Sequence, residues 1–160
     1  MPVMLGAPSR LGYAGAMEGA ALEQRRDGIL PRQAIARLVA DGSVTGAPLV
    51  LPDQLQPASL DLRLGTLAHR IRASFLPGRD QTVEERLAPL VLHTIDLTGG
   101  AVLETGCVYL VPLVERLALP GDLSATTNPK SSTGRLDVFT RVIADGGAAF
   151  DRIPEGYRGP

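Results

Sequence analysis

Residues 128–135 read Asn-Pro-Lys-Ser-Ser-Thr-Gly-Arg, so six consecutive positions, Lys130 to Arg135, carry two cations and three hydroxyls. Hydroxyls, backbone N–H groups and fixed cations gathered in a tight turn are what a polyphosphate needs. The same residue types are ordinary turn formers, so composition alone leaves a solvated hairpin turn equally open. Lys130 is the one lysine in a chain with fifteen arginines.

Asp145, Asp151 and Glu155 follow, interleaved with Arg141, Arg152 and Arg158. Most of these charges are expected to form a solvated face. Asp61 and Arg63 share the polar side of an alternating run and are expected to pair with each other or with a neighbouring strand. His69, His93 and Cys107 lack metal-ligand spacing: no H-x-E and no C-x-x-C occurs, so a zinc site is not expected. The histidines read as surface or sheet-edge residues, and Cys107, between Gly106 and Val108, as a small core residue. Glycine fingerprints for a dinucleotide or a P-loop are missing.

Short elements must position these groups. The 18 glycines and 13 prolines among 160 residues favour strands and turns over long helices. One helix is expected after Gly28, with Ala34, Ile35, Leu38 and Val39 on one face, Pro31 in the first turn and Asp41-Gly42 at the end. The alternation Ser59-Leu60-Asp61-Leu62-Arg63-Leu64 predicts a half-buried strand. Residues 77–89 read as a surface loop with room for a helical turn. Apolar runs at 90–97, 101–103, 108–113, 123–127 and 136–143, separated by Gly and Pro, predict an all-β barrel or sandwich. Residues 1–27, Gly- and Ala-rich without a sustained period, read as a mobile lead-in, with a short helix around Ala14 to Arg26 as an alternative; the domain proper is expected over 28–160.

Composition excludes several classes. With 44% hydrophobic and 21% charged residues the chain can bury a core. Sixteen lysines and arginines against 17 acidic residues leave a net charge of -1, so no basic field draws it to nucleic acid or anionic lipid. It has neither a continuous apolar stretch of about 18 residues nor a secretory core, so no membrane span is expected. A lone cysteine suits a reducing compartment, and the cytoplasm is the expected location.

Three stretches, in order, resemble the deoxycytidine triphosphate (dCTP) deaminase family, which shares its fold with deoxyuridine triphosphate pyrophosphatases (dUTPases). Gln56 to Gly65 is similar to the family's early strand motif, Pro129 to Arg135 to its nucleotide loop, and Phe150-Asp151 with Gly156-Tyr157-Arg158-Gly159 to its third motif. The paired serines and the closing Arg135 side with the deaminases, since pyrophosphatases tend to read Pro-Arg-Ser-Gly there. The resemblance runs from about Gly28 to Pro160. It implies a mainly β fold, a distorted dUTPase-like barrel (β-clip) with a short N-terminal helix, assembling as a trimer. It also implies a hydrolase that converts dCTP to dUTP and ammonia without zinc, magnesium arriving on the triphosphate, and dCTP, dUTP and dTTP-like nucleotides as partners. The enzymatic alternatives are a deaminase that also cleaves the dUTP it makes and a plain pyrophosphatase; a non-catalytic nucleotide-binding fragment is the alternative of another class.

By the same resemblance Lys130 and Ser132 hold phosphate oxygens, Ser131 and Arg135 line the pocket where water attacks the ring, and the Ala144 carbonyl orients that water. Asp151 meets the deoxyribose or a bound water, although Gly146 to Ala149 and Arg152 to Glu155 read as insertions and Lys130 stands where many relatives have arginine. The family's catalytic glutamate lies on a strand just beyond the Tyr-Arg-Gly motif, past Pro160. The chain is therefore expected to be the front part of a longer, tandem-type member, with a barrel incomplete at its C-terminus. A homo-oligomer or a tandem domain is expected as its partner, and the 160 residues are expected to be inactive alone.

Overall fold

Pro31 sits in extended backbone (φ -74°, ψ 162°) and opens helix α1, Arg32–Ala40, in the computed structural model, which describes residues 1–7 and 28–160. The predicted face holds: Ile35 and Leu38 are buried, Ala34 and Val39 half-buried. Arg37 in the last turn complements the helix dipole, and Gly42, at φ 82°, turns the chain back without a Cβ penalty.

Three antiparallel ladders make up the rest. In the first, β1 (Pro2–Ala7) has β9 (Ser124–Thr127) on one edge. Its other edge is shared by β2 (Gly28–Ile29) and β4 (Leu60–Asp61), and β10 (Arg152–Ile153) flanks β9. The second ladder sets β8 (Glu115–Ala118) between β3 (Val44–Gly46) and β11 (Arg158–Gly159). In the third, β5 (Leu67–Ile71) lies between β6 (Val91–Asp96) and β7 (Val108–Leu110). The sheets do not close on one another, so the chain is mainly β with an early helix and an open barrel. Among the described residues no helix is long and apolar enough to cross a membrane.

One core joins the first two ladders to α1: Val3, Leu5, Ile35, Val44, Leu60 and Leu119 are its fully buried side chains. A polar knot fastens the strand motif to that core. Glu115, 3% exposed, accepts from Gln54 Nε2 at 2.8 Å, Arg63 Nε at 2.7 Å and the Arg63 backbone N–H at 2.8 Å. Gln54 Nε2 also donates to the Asp61 carbonyl at 2.7 Å. Both carboxylate oxygens therefore meet at least one donor, the condition for burying a carboxylate.

Several expectations need correction. Pro2–Ala7 is a paired strand at the centre of its sheet, not part of a mobile lead-in; the rest of that expectation, including the helix around Ala14 to Arg26, lies outside the described residues. The alternating strand is paired only at Leu60–Asp61, because beyond it the chain crosses to the other ladders: Leu64 bridges Leu113 and is exposed. Of the two pairings expected for Asp61 and Arg63, the one with each other does not form; Arg63 pairs with Glu115 of strand β8, and Asp61 with Lys130. Runs 101–103 and 136–143 form no strands. Cys107 is half-buried rather than core, with Arg70 Nη2 donating to its Sγ at 3.0 Å. His69 lies on the central strand of the third ladder, 2.9 Å from Thr94 Oγ1, while His93 is exposed on its edge strand β6.

Candidate functional site

Strand β9 ends at Thr127 because Pro129 has no N–H to extend a ladder. Lys130 follows in extended backbone (φ -64°, ψ 140°) and leads into one helical turn, α3, Ser131–Gly134. Arg135 N–H donates to the Ser131 carbonyl at 3.1 Å and Val138 N–H to that of Thr133 at 3.3 Å. Asp137, at φ 55°, takes the left-handed conformation that ends the turn. The turn is thus fixed by its own backbone, while Ser131, Ser132 and Arg135 are exposed. Their side chains make no hydrogen bond or ion pair among the described residues and are free to receive a ligand.

Lys130 is held differently. Its Nζ lies 2.5 Å from Asp61 Oδ2, with the lysine side chain 50% and the aspartate side chain 16% exposed. The early strand motif and the loop motif, 69 positions apart in sequence, therefore meet at an ion pair.

A second cluster centres on Asp151, a non-glycine residue at φ 60°. Its Oδ1 accepts from Val142 N–H at 2.8 Å and Thr127 Oγ1 at 3.1 Å, and its Oδ2 pairs with Arg141 Nε at 2.6 Å. A carboxylate has roughly four acceptor positions, so one remains on Oδ2 for a hydroxyl or a water. The Arg141 guanidinium stacks 5.5 Å over the Phe150 ring. Asp151, Thr127, Arg141 and Phe150, with Thr126, Asn128 and Arg152, line a cleft of ≈ 330 Å³, and Asn128 brings the start of the loop to its wall. An adjoining cleft of ≈ 440 Å³ shares Thr126 and Arg152 and reaches Arg79 and Gly146–Ala149.

Ala144 is buried at 3% in the core cluster, and its carbonyl accepts from Gly147 N–H at 3.0 Å, leaving one lone pair. A Cβ at Gly147 would lie 2.7 Å from that oxygen, so glycine is required there. Beside it, Asp145 Oδ1 accepts from Val83 N–H at 2.7 Å and Asp145 N–H donates to the Tyr157 hydroxyl at 3.3 Å. Burial raises the Tyr157 phenol above its ordinary value, the Asp145 backbone hydrogen bond opposing this.

The structure brings Asp151 to the root of the loop, through Thr127, and Lys130 to Asp61. Among the described residues no hydrogen bond or ion pair joins Ser131 or Arg135 to Ala144 or Asp151. Sequence reasoning missed Arg141, Thr127 and Phe150 as companions of Asp151, and Asp61 as the partner of Lys130; the polar position of Asp61 beside a buried Leu60 was the only available signal. Among the described residues no three His, Cys, Asp or Glu side chains come together in a way that could hold a metal ion.

A model of the 2'-deoxycytidine 5'-triphosphate deaminase (DCD) N-terminal domain matches residues 26–160. The chain is 35% identical over 118 residues to the dCTP deaminase of Haloarcula marismortui, covering 72% of this chain and 60% of that protein. It is 33% identical over 119 residues to the "dCTP deaminase, dUMP-forming" of Methanothermobacter thermautotrophicus, covering 72% and 59%. The crystal structure of 2'-deoxycytidine 5'-triphosphate deaminase from Agrobacterium tumefaciens superposes with a TM-score of 0.80 at 58% identity, over 83% of this chain and 40% of that one. The chain thus spans about three fifths of the length of these curated relatives.

Proposed function

Because the chain belongs to the 2'-deoxycytidine 5'-triphosphate deaminase family, whose N-terminal-domain model spans residues 26–160, we propose that its loop 128–135 and Asp151 cleft bind dCTP for hydrolytic deamination, in the cytoplasm. The observation that carries this reading is the rigid turn presenting Ser131, Ser132 and Arg135 with unengaged side chains, next to the ion-paired Lys130. A merely solvated turn needs neither that anchoring nor a neighbouring cleft.

In this reading the substrate is the magnesium complex of dCTP, the metal arriving on the phosphates; protein donors for a resident metal are not gathered among the described residues. Zinc takes no part. Lys130 and Ser132 receive phosphate oxygens, and the free position on Asp151 Oδ2 receives a sugar hydroxyl or a water. Water adds to the ring carbon bearing the amino group; one of its protons passes to the adjacent ring nitrogen and the other to the departing amino nitrogen, the C–N bond breaks, and ammonia leaves with a carbonyl in its place. Ser131 and Arg135 stabilise charge as it develops, and the remaining lone pair of the Ala144 carbonyl orients the water.

Among the described residues no hydrogen bond or ion pair joins Ser131 or Arg135 to Ala144, and Leu136, Val138 and Phe139 directly after the loop are exposed. We therefore read the functional form as a homo-oligomer, a trimer, in which the loop of one copy faces the Asp151 cleft of another. The test is ammonia release from dCTP by a protein that also carries the segment expected after Pro160, with chromatography of the nucleotide product. dUTP with ammonia supports deamination; dUMP with pyrophosphate adds triphosphate cleavage; tight dCTP binding without ammonia refutes the catalytic reading.

A further inference from the structure

We propose that β1, residues 2–7, is the element that positions the loop: it holds Asp61 and Lys130 in pairing register and thereby aims the only lysine of the chain. The claim about phosphate rests on the nucleotide reading above, whereas the claim about register stands without it. β1 lies outside residues 26–160, which the family model matches.

Val3 faces Thr127 of β9 across one edge and Leu60 of β4 across the other, and Pro2 faces Asp61. The Leu62 N–H adds a bond to the Met1 carbonyl at 2.6 Å. Thr127 is the last residue of β9 before the loop, and Leu60 immediately precedes Asp61. Among the described residues β4 takes part in no ladder except that with β1, and β9 pairs only with β1 and β10. An ion pair whose lysine is half exposed is too weak to hold two chain segments in register; the polar knot ties Asp61 to Glu115 of β8 through Gln54 and Leu60 bridges Leu55, but the ladder through Val3 is what joins β4 to β9. Leu5 provides the contrast. It is as fully buried as Val3, but it faces Ala125 of β9 and is bonded on its other edge by Leu30 N–H, away from β4.

Since Lys130 is the sole lysine, its acylation by an amine-selective reagent, read at that peptide by mass spectrometry, reports the pair directly. Val3→Ala and Leu5→Ala are compared, with Asp61→Asn as the unpaired reference and urea unfolding to confirm that each folds. Lys130 acylation is expected to rise about fivefold in Val3→Ala and Asp61→Asn and to stay within about twofold in Leu5→Ala, though Leu5→Ala loses at least as much stability. The dissociation constant of Mg·dCTP is expected to rise about fivefold in Val3→Ala and Asp61→Asn and to stay within about twofold in Leu5→Ala. Equal acylation in Val3→Ala and Leu5→Ala would overturn the proposal and leave β1 as core filling. The expected acylation pattern in a protein that binds no nucleotide supports the register claim and overturns the nucleotide reading instead. Should a variant fail to fold, the unmodified protein decides: the amides of Val3 and Thr127 and the acylation of Lys130 must share one urea dependence, and independent opening refutes the coupling.

Discussion

Removing the Glu115 carboxylate should be among the costliest single changes in this chain. In Glu115→Ala three donors lose their acceptor: Arg63 Nε, the Arg63 backbone N–H and one hydrogen of Gln54 Nε2. The Arg63 side chain is 24% exposed and regains some water, but Gln54 is 5% exposed and cannot. A buried donor left dry costs about 1–3 kcal/mol, and breaking a buried ion pair from one side costs about 3–5 kcal/mol. These overlap, so a total of about 4 kcal/mol is expected, a large part of the roughly 5–15 kcal/mol that holds a domain folded. With a urea slope of about 2 kcal/mol/M for a chain of this size, the midpoint should fall by about 2 M. Glu115→Gln keeps one acceptor but turns an amide donor toward Arg63, for which about 1.5–3 kcal/mol is expected. The assay is urea unfolding followed by circular dichroism, with Arg63→Met to complete a double-mutant cycle. If both Glu115 variants unfold within about 0.5 kcal/mol of the parent, or the cycle shows no coupling, the knot does not hold the strand motif and the reasoning fails.

Made in a protein that also carries the segment expected after Pro160, Ser131→Ala and Arg135→Ala should each lower dCTP turnover by about 10² or more, the scale of positioned electrostatic groups, whereas Lys130→Ala should chiefly raise KM; near-normal turnover in both of the first two would return the loop to a solvated turn. In the same extended protein, ammonia release should survive a zinc-selective chelator and fall when magnesium is withheld, and tightly bound stoichiometric zinc in active protein would contradict this. The Thr82 backbone N–H and then its hydroxyl hold the Glu85 carboxyl below its ordinary value, closing the capping box of α2 (Val83–Leu87). Because the folded value is depressed, the cap is intact above the ordinary glutamate range and is lost as pH falls through the folded value. NMR titration of Glu85 should show this, with the Thr82 amide moving in step; an amide indifferent to that titration would refute the cap.

Local chemistry made α1 legible, since Ile35 and Leu38 are buried on the face their spacing predicts. It also made the 128–135 turn legible, because Pro129 and the hydroxyl run leave little else for the backbone to do. Strands β6 and β9 follow apolar runs. β1 was not legible: Pro2 and Gly6 weaken any strand signal, and its pairing depends on partners as distant in sequence as Asp61 and Thr127, which periodicity does not report. The burial of Glu115 was hidden for a similar reason. A glutamate between Val114 and Arg116 reads as solvent-facing unless Gln54 and Arg63 are known to converge on it. Run 136–143 misled because its apolar residues suggested a strand, yet Leu136 and Phe139 are exposed and the segment takes its direction from the turn that Asp137 ends. The site was read residue by residue from a family resemblance, and what geometry adds is grouping: Lys130 with Asp61, and Asp151 with Arg141 and Thr127.

The central claim is that the 128–135 turn receives the triphosphate, and titration of isotope-labelled protein with Mg·dCTP, followed amide by amide in NMR spectra, tests it most directly. Saturable shifts should appear at Lys130, Ser131, Ser132 and Arg135 and at Asp151, and should fade in Lys130→Ala. Saturation that moves other amides while leaving residues 130–135 unshifted, or no shift at millimolar nucleotide, would contradict it.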